Sequence, residues 1–97
     1  MSFDSGFKYR LGKKTFIYHS DPGHGWIAVK LKELLYLGIA DKISTYSYVK
    51  GDTAYLEEDC DASLFFQAFK AVFNKQPAYK ESYLERTPIR YYNRYVA

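Results

Sequence analysis

The chain has one cysteine, Cys60, in 97 residues, so no intramolecular disulfide staples it and folding needs no oxidising compartment. Proline is scarce at three residues, and there are two histidines, one methionine and one tryptophan. No apolar run approaches the roughly 18 residues needed to span a bilayer. The opening Met1-Ser2-Phe3-Asp4-Ser5-Gly6 lacks the apolar core of a secretory signal, so a cytoplasmic protein is the expectation. Internal repeats, low-complexity tracts and linkers are missing as well. The length leaves room for one hydrophobic core, giving a single domain over 1–97 with 1–12 as a loose arm. Reaction signatures are lacking too: no HExxH, no paired CxxC, no nucleophile elbow and no phosphate-binding glycine loop. A non-enzymatic protein without a resident cofactor or metal is therefore expected.

Aromatic residues, by contrast, make up 20% of the chain, with 11 tyrosines and 7 phenylalanines. A small core cannot satisfy that many tyrosine hydroxyls. Several tyrosines belong at the surface, where they serve contacts at modest entropic cost. The net charge is +3 and is unevenly spread. Residues 1–54 carry eight Lys/Arg against five acids, 55–61 four acids and no base, and 62–97 six bases against two acids. An acidic knot between basic regions follows.

The apolar pattern predicts an α+β fold: a small antiparallel sheet in the order β-β-α-β-β-α-β, with two helices on one face. Thr15–His19 and Trp26–Val29 read as a hairpin. Lys30–Leu37 places Leu31, Leu34 and Leu35 on one helical face; Gly38 sits where a left-handed residue closes a helix, and Ile39 follows to touch Leu34. Ile43–Val49 alternates and returns through Lys50-Gly51-Asp52 into Thr53–Glu57. Asp59 or Asp61 caps a helix over Ala62–Asn74, striped by Phe65, Phe69, Val72 and Phe73 and ended by Gln76-Pro77. Residues 78–87 read as a loop and Ile89–Val96 as a last strand.

Three constellations carry chemistry. His19-Ser20-Asp21-Pro22-Gly23-His24-Gly25-Trp26 concentrates both imidazoles, a carboxylate and the indole on one turn. His19, Asp21 and His24 suit a divalent metal, with Glu57, Glu58 or Asp59 as further ligands or general base. Equally, Asp21 caps its own turn. Glu57-Glu58-Asp59-Cys60-Asp61 reads as helix capping, or as a patch imitating the charge of nucleic acid. Cys60 itself reads as a buried structural residue whose thiolate the acids disfavour. In the C-terminal stretch, an extended 89–95 turns Arg90, Tyr92 and Arg94 to one side and Ile89, Tyr91 and Tyr95 to the other. That pattern suits phosphates and bases, a protein hot spot, or plain completion of the core.

The motifs Asp21-Pro22-Gly23-His24-Gly25-Trp26, Leu37-Gly38-Ile39, Tyr46-Ser47-Tyr48, Tyr55-Leu56-Glu57-Glu58-Asp59 and Ile89-Arg90-Tyr91 occur in that order. The chain thereby resembles, over residues 15–95, a group of small proteins encoded in phages, prophages and plasmids that have no assigned activity. The resemblance implies a mobile-element origin and brings no catalytic residues. By analogy with anti-CRISPR and anti-restriction proteins, the expected role is an interaction protein that blocks or modulates a host nucleic-acid-processing or defence complex. Its expected docking surface gathers His19, Asp21, His24, Trp26, Tyr46, Tyr48, Glu57, Glu58, Asp59, Arg90, Tyr92 and Arg94. Three other readings stay open: direct nucleic-acid binding by the Arg/Tyr C-terminus with Lys13, Lys14 and Trp26; a nucleotide pocket in which Trp26 stacks a base; and a small metal-dependent hydrolase built on the His/Asp loop.

Overall fold

The computed structural model describes residues 3–96 as a six-stranded sheet with three α-helices on one of its faces. The strands are β1 (Thr15–Ser20), β2 (Gly25–Lys30), β3 (Tyr48–Lys50), β4 (Thr53–Glu57), β5 (Ala78–Tyr83) and β6 (Asn93–Arg94). The helices are α1 (Phe7–Lys13), α2 (Leu31–Tyr36) and α3 (Ala62–Phe73), and the order across the sheet is β5-β1-β2-β4-β3-β6. The α+β class and both hairpins match the sequence pattern. Among the described residues no helix is long and apolar enough to cross a membrane.

The sheet is mixed, which corrects the all-antiparallel expectation: β5 runs parallel to β1 while the other pairs are antiparallel. Between β4 and β5 the chain crosses the helical face as α3, so a crossover joins strands where only hairpins were expected. Residues 78–87 were expected to loop because Ala78-Tyr79-Lys80-Glu81-Ser82-Tyr83 lacks a buried face; at a sheet edge none is needed, and most of these side chains are exposed.

The N-terminal stretch also departs from expectation. Phe7 and Leu11, one helical turn apart, are buried, so residues 7–13 are a packed helix and not part of a loose arm. Gly12 obscures that helix in the sequence but suits the packing: a Cβ there would stand 2.9 Å from the Phe73 ring. Glu33, also buried, accepts both Lys14 Nζ and the Lys30 backbone N–H, joining α1 to the start of α2.

The main core lies between the helices and one sheet face. It brings together Phe16, Ile27, Val29, Ala54 and Leu56 from strands with Leu34, Phe65 and Phe69 from helices. Fully burying Phe65 and Phe69 contributes roughly 1.5–3 kcal/mol each. Val72 falls outside the stripe and is exposed. The α2 terminus forms as expected. Gly38 has φ +76°, its N–H donates to Leu35 O, and Ile39 N–H donates to Leu34 O.

Two predicted strands are shorter than the alternation implies. A 3-10 turn (Ala40–Lys42) and a further turn occupy most of 40–47, leaving β3 as three residues. A second 3-10 turn (Pro88–Tyr91) precedes the two-residue β6. Tyr91, which an extended segment would place on the side of Ile89 and Tyr95, is 89% exposed while those two are buried.

Candidate functional site

Alternation along the strands sends Ile17 and His19 of β1, Trp26 and Ala28 of β2, Tyr55 and Glu57 of β4, Tyr48 of β3 and Arg94 of β6 to the face opposite the helices. Part of that face is covered by the C-terminal segment, whose anchors Thr87 and Ile89 are buried.

Asp21 holds this segment in place. Its Oδ1 accepts the Gly23 and His24 N–H groups at 3.0 and 2.9 Å, so it does cap its own turn. Arg90 also donates to it bidentately, Nε to Oδ2 at 2.7 Å and Nη2 to Oδ1 at 2.9 Å. Hydrogen bonding from Arg90, seconded by the two backbone donors, holds the Asp21 carboxyl far below its ordinary pKa against an opposing burial effect. Arg90 Nη2 lies 2.9 Å from His24 Nδ1. Because guanidinium only donates, Nδ1 accepts and the His24 proton sits on Nε2.

Trp26 fills the centre of the face and is only 1% exposed. The His24 ring stacks on it at 5.8 Å with 15° between planes, Arg90 Cζ sits 5.9 Å from its centre, and Tyr48 meets it edge-on. Sealed in this way, the indole offers no face to a base, which removes the proposed stacking role of Trp26. Its Nε1–H is buried without a partner among the described residues.

Above the indole opens a cleft of about 270 Å³. His24 and Trp26 line it from β2 and the loop before it, Tyr46 and Tyr48 from β3 and its approach, and Arg90 and Arg94 from the C-terminal segment. Glu57, Asp59 and Cys60 complete it from the turn between β4 and α3. Tyr46 is 64% exposed at the rim. Arg94 stacks on Tyr48, its guanidinium carbon 4.8 Å from the ring centre, and reaches Thr45 O at 3.3 Å; it forms no ion pair with a described carboxylate.

The four acids of the knot do not form one patch, which the reading of them as a nucleic-acid mimic required. Glu57 is buried, and its Oε2 accepts the Asp59 and Cys60 N–H groups at 2.8 and 2.9 Å. Asp61 is 3% exposed and stands at the start of α3, yet its carboxylate does not cap the helix. Instead it accepts from Ser44 N–H, Ser44 Oγ and Ser47 Oγ. Glu58 leaves the cleft altogether and accepts the Tyr18 hydroxyl. Only Asp59 remains as an exposed carboxylate of the cleft. Local N–H and O–H donors, and no cations, hold Glu57 and Asp61.

Cys60 is exposed at the cleft, not buried as expected. Desolvation first, then a hydrogen bond to Glu57 and the nearby carboxylates, push its thiol above the ordinary value. His19 and Tyr92 lie beside the cleft and not in it, each packed against Tyr55 at 5.7 and 5.2 Å between ring centres. Burial lowers the His19 pKa.

Thus eight of the twelve expected docking residues meet in the cleft, Asp21 supports it from behind, His19 and Tyr92 flank it, and Glu58 lies apart. Cys60, which lines the cleft, and Tyr55, on which the flanking His19 and Tyr92 pack, were missed. Their signals were present, since Tyr55 alternates in phase with Glu57 and Cys60 follows the acidic turn. Among the described residues no three of His, Cys, Asp and Glu gather to hold a metal ion, and Asp21 is already committed to Arg90. Lys14 is paired with Glu33, which dissolves the predicted grouping of Lys13, Lys14 and Trp26 with the C-terminal arginines. Comparison with family models, curated proteins and solved structures finds no match.

Proposed function

We propose that this chain is a non-catalytic binding protein that docks, through the cleft on its open sheet face, onto a protein of a host nucleic-acid-processing or defence complex. One observation carries the docking mode: aromatic rings, two arginines and the exposed Asp59 carboxylate converge on one concave surface. Exposed tyrosine and arginine are among the residues that dominate the energetics of protein interfaces, and a cleft of mixed sign matches the mixed charge of a protein surface. A polyphosphate backbone fits it poorly, because Asp59 shares the cleft with Arg94 and Arg90 is neutralised by Asp21. The choice of a host complex rests on the mobile-element resemblance and the small size of the chain.

Affinity capture from a host lysate tests this reading, with the wild type compared against Tyr46→Ala and Arg94→Glu. Both side chains are exposed, so the fold survives their loss. The expected result is a stoichiometric host protein held by the wild type and lost by both variants. Capture of nothing, or capture indifferent to both substitutions, refutes it.

A further inference from the structure

A second concave surface lies between α1 and the C-terminal end of α3, a groove of about 430 Å³. Tyr9 and Phe73 supply its apolar side chains, the backbone of Gly12 its floor, and Lys8, Lys13 and Lys75 its charge. Tyr9 is 67% exposed, with Lys13 Nζ 5.2 Å from its ring centre. Phe73 is half-buried and pressed against α1 at Gly12, where any Cβ would strike its ring. Phe73 is therefore held in place by the helix contact.

The charge here differs from that of the rest of this basic region. Arg10 is paired with Asp4 and Lys14 with Glu33. No carboxylate lines the groove, and among the described residues none of Lys8, Lys13 and Lys75 forms an ion pair. Three uncompensated cations around a pair of rings call for an anion that also brings flat apolar groups. Both apolar side chains are aromatic and none is aliphatic, which favours nucleobases over the branched aliphatic anchors of an acidic peptide.

We propose that this groove binds single-stranded nucleic acid, with a base stacked on the exposed Tyr9 ring, Phe73 packed on Phe69 as the apolar wall beside it, and the three lysines set against phosphates. The site is separate from the cleft and independent of the protein-docking reading. The lysines act as point charges and the rings accept any base, so binding is insensitive to sequence.

Fluorescence anisotropy of the full chain with a short fluorescein-labelled oligothymidylate, over a series of sodium chloride concentrations, tests this. The expected slope of log K against log salt is about −2, from roughly 0.7 per neutralised phosphate on a single strand. Lys75→Ala reduces that slope by about 0.7. Tyr9→Ala weakens binding roughly 5- to 150-fold at every salt concentration and leaves the slope unchanged. Alanine suits an exposed helical position, and Tyr9→Phe restores binding because the ring suffices. The proposal is overturned by no complex at low salt, or by Tyr9→Ala binding like the wild type. Equal affinity for a duplex of the same length overturns it, since rings cannot stack on paired bases. So does displacement of the strand by oligoglutamate at equal charge, which marks an acidic protein as the occupant.

Discussion

Replacing Asp61 by alanine tests whether one buried carboxylate sets the shape of the cleft. Asp61 receives three donors from the turn that leads into β3: Ser44 N–H at 3.1 Å, Ser44 Oγ at 2.7 Å, and Ser47 Oγ. Ser47 is wholly buried, and its Oγ in turn accepts Glu57 N–H at 3.0 Å. The turn carries Tyr46, whose N–H donates to Ser44 Oγ, and leads directly into Tyr48. A net charge-assisted hydrogen bond contributes about 1.5–3 kcal/mol. The three contributions do not add in full, because all three donors share the Oδ2 atom. Removing Asp61 therefore destabilises the fold by about 3 kcal/mol, a large share of the roughly 5–15 kcal/mol of a domain. Urea unfolding followed by tyrosine and tryptophan fluorescence reads this as a midpoint lower by about 1–3 M, given a denaturant slope of roughly 1–3 kcal/mol/M. Asp61→Asn keeps one acceptor oxygen and loses about half as much. A midpoint shift below about 0.3 M for the alanine variant refutes the reasoning, because the turn would then hold its shape without the peg.

Three further outcomes are expected. Burial lowers the His19 pKa below its ordinary 6.5, so the folded state binds that proton more weakly than the unfolded chain; stability is complete above that value and falls as pH drops through it, and His19→Gln flattens the urea midpoint between pH 8 and 5.5, a result refuted by parallel curves. Gly38 has φ +76° with open space around its Cα, so Gly38→Ala carries only the left-handed backbone cost of about 1 kcal/mol in urea unfolding, with Gly38→Asn costing less; equal stability of all three refutes the closure of α2 described above. The raised thiol pKa makes native Cys60 react with iodoacetamide more slowly than the urea-unfolded chain at pH 8, and a faster native reaction contradicts the carboxylate setting of that thiol.

Where local periodicity carries the information, the sequence was legible: the β1–β2 hairpin, the stop of α2 at Gly38 and Ile39, and the Phe65–Phe69 stripe of α3 are each written within sixteen neighbouring residues. The cleft was legible as a set of residue types, but its wiring was not. Nothing local pairs Asp21 with Arg90, turns Asp61 away from its helix toward Ser44 and Ser47, or sends Glu58 to Tyr18, because each partner arrives from a distant element. β5 escaped for the same reason, since an exposed edge strand has no buried face to reveal it and its parallel partner β1 lies at the other end of the chain. The sequence by itself determined the class of fold, the close of α2 at Gly38 and the stock of aromatic and charged groups, all consequences of short-range sterics and apolar spacing. Tertiary structure alone decided which of four acids stay exposed, that the tryptophan is sealed, and that arginines and tyrosines share one concavity, because burial and ion pairing depend on distances that exist only once the sheet has closed its order.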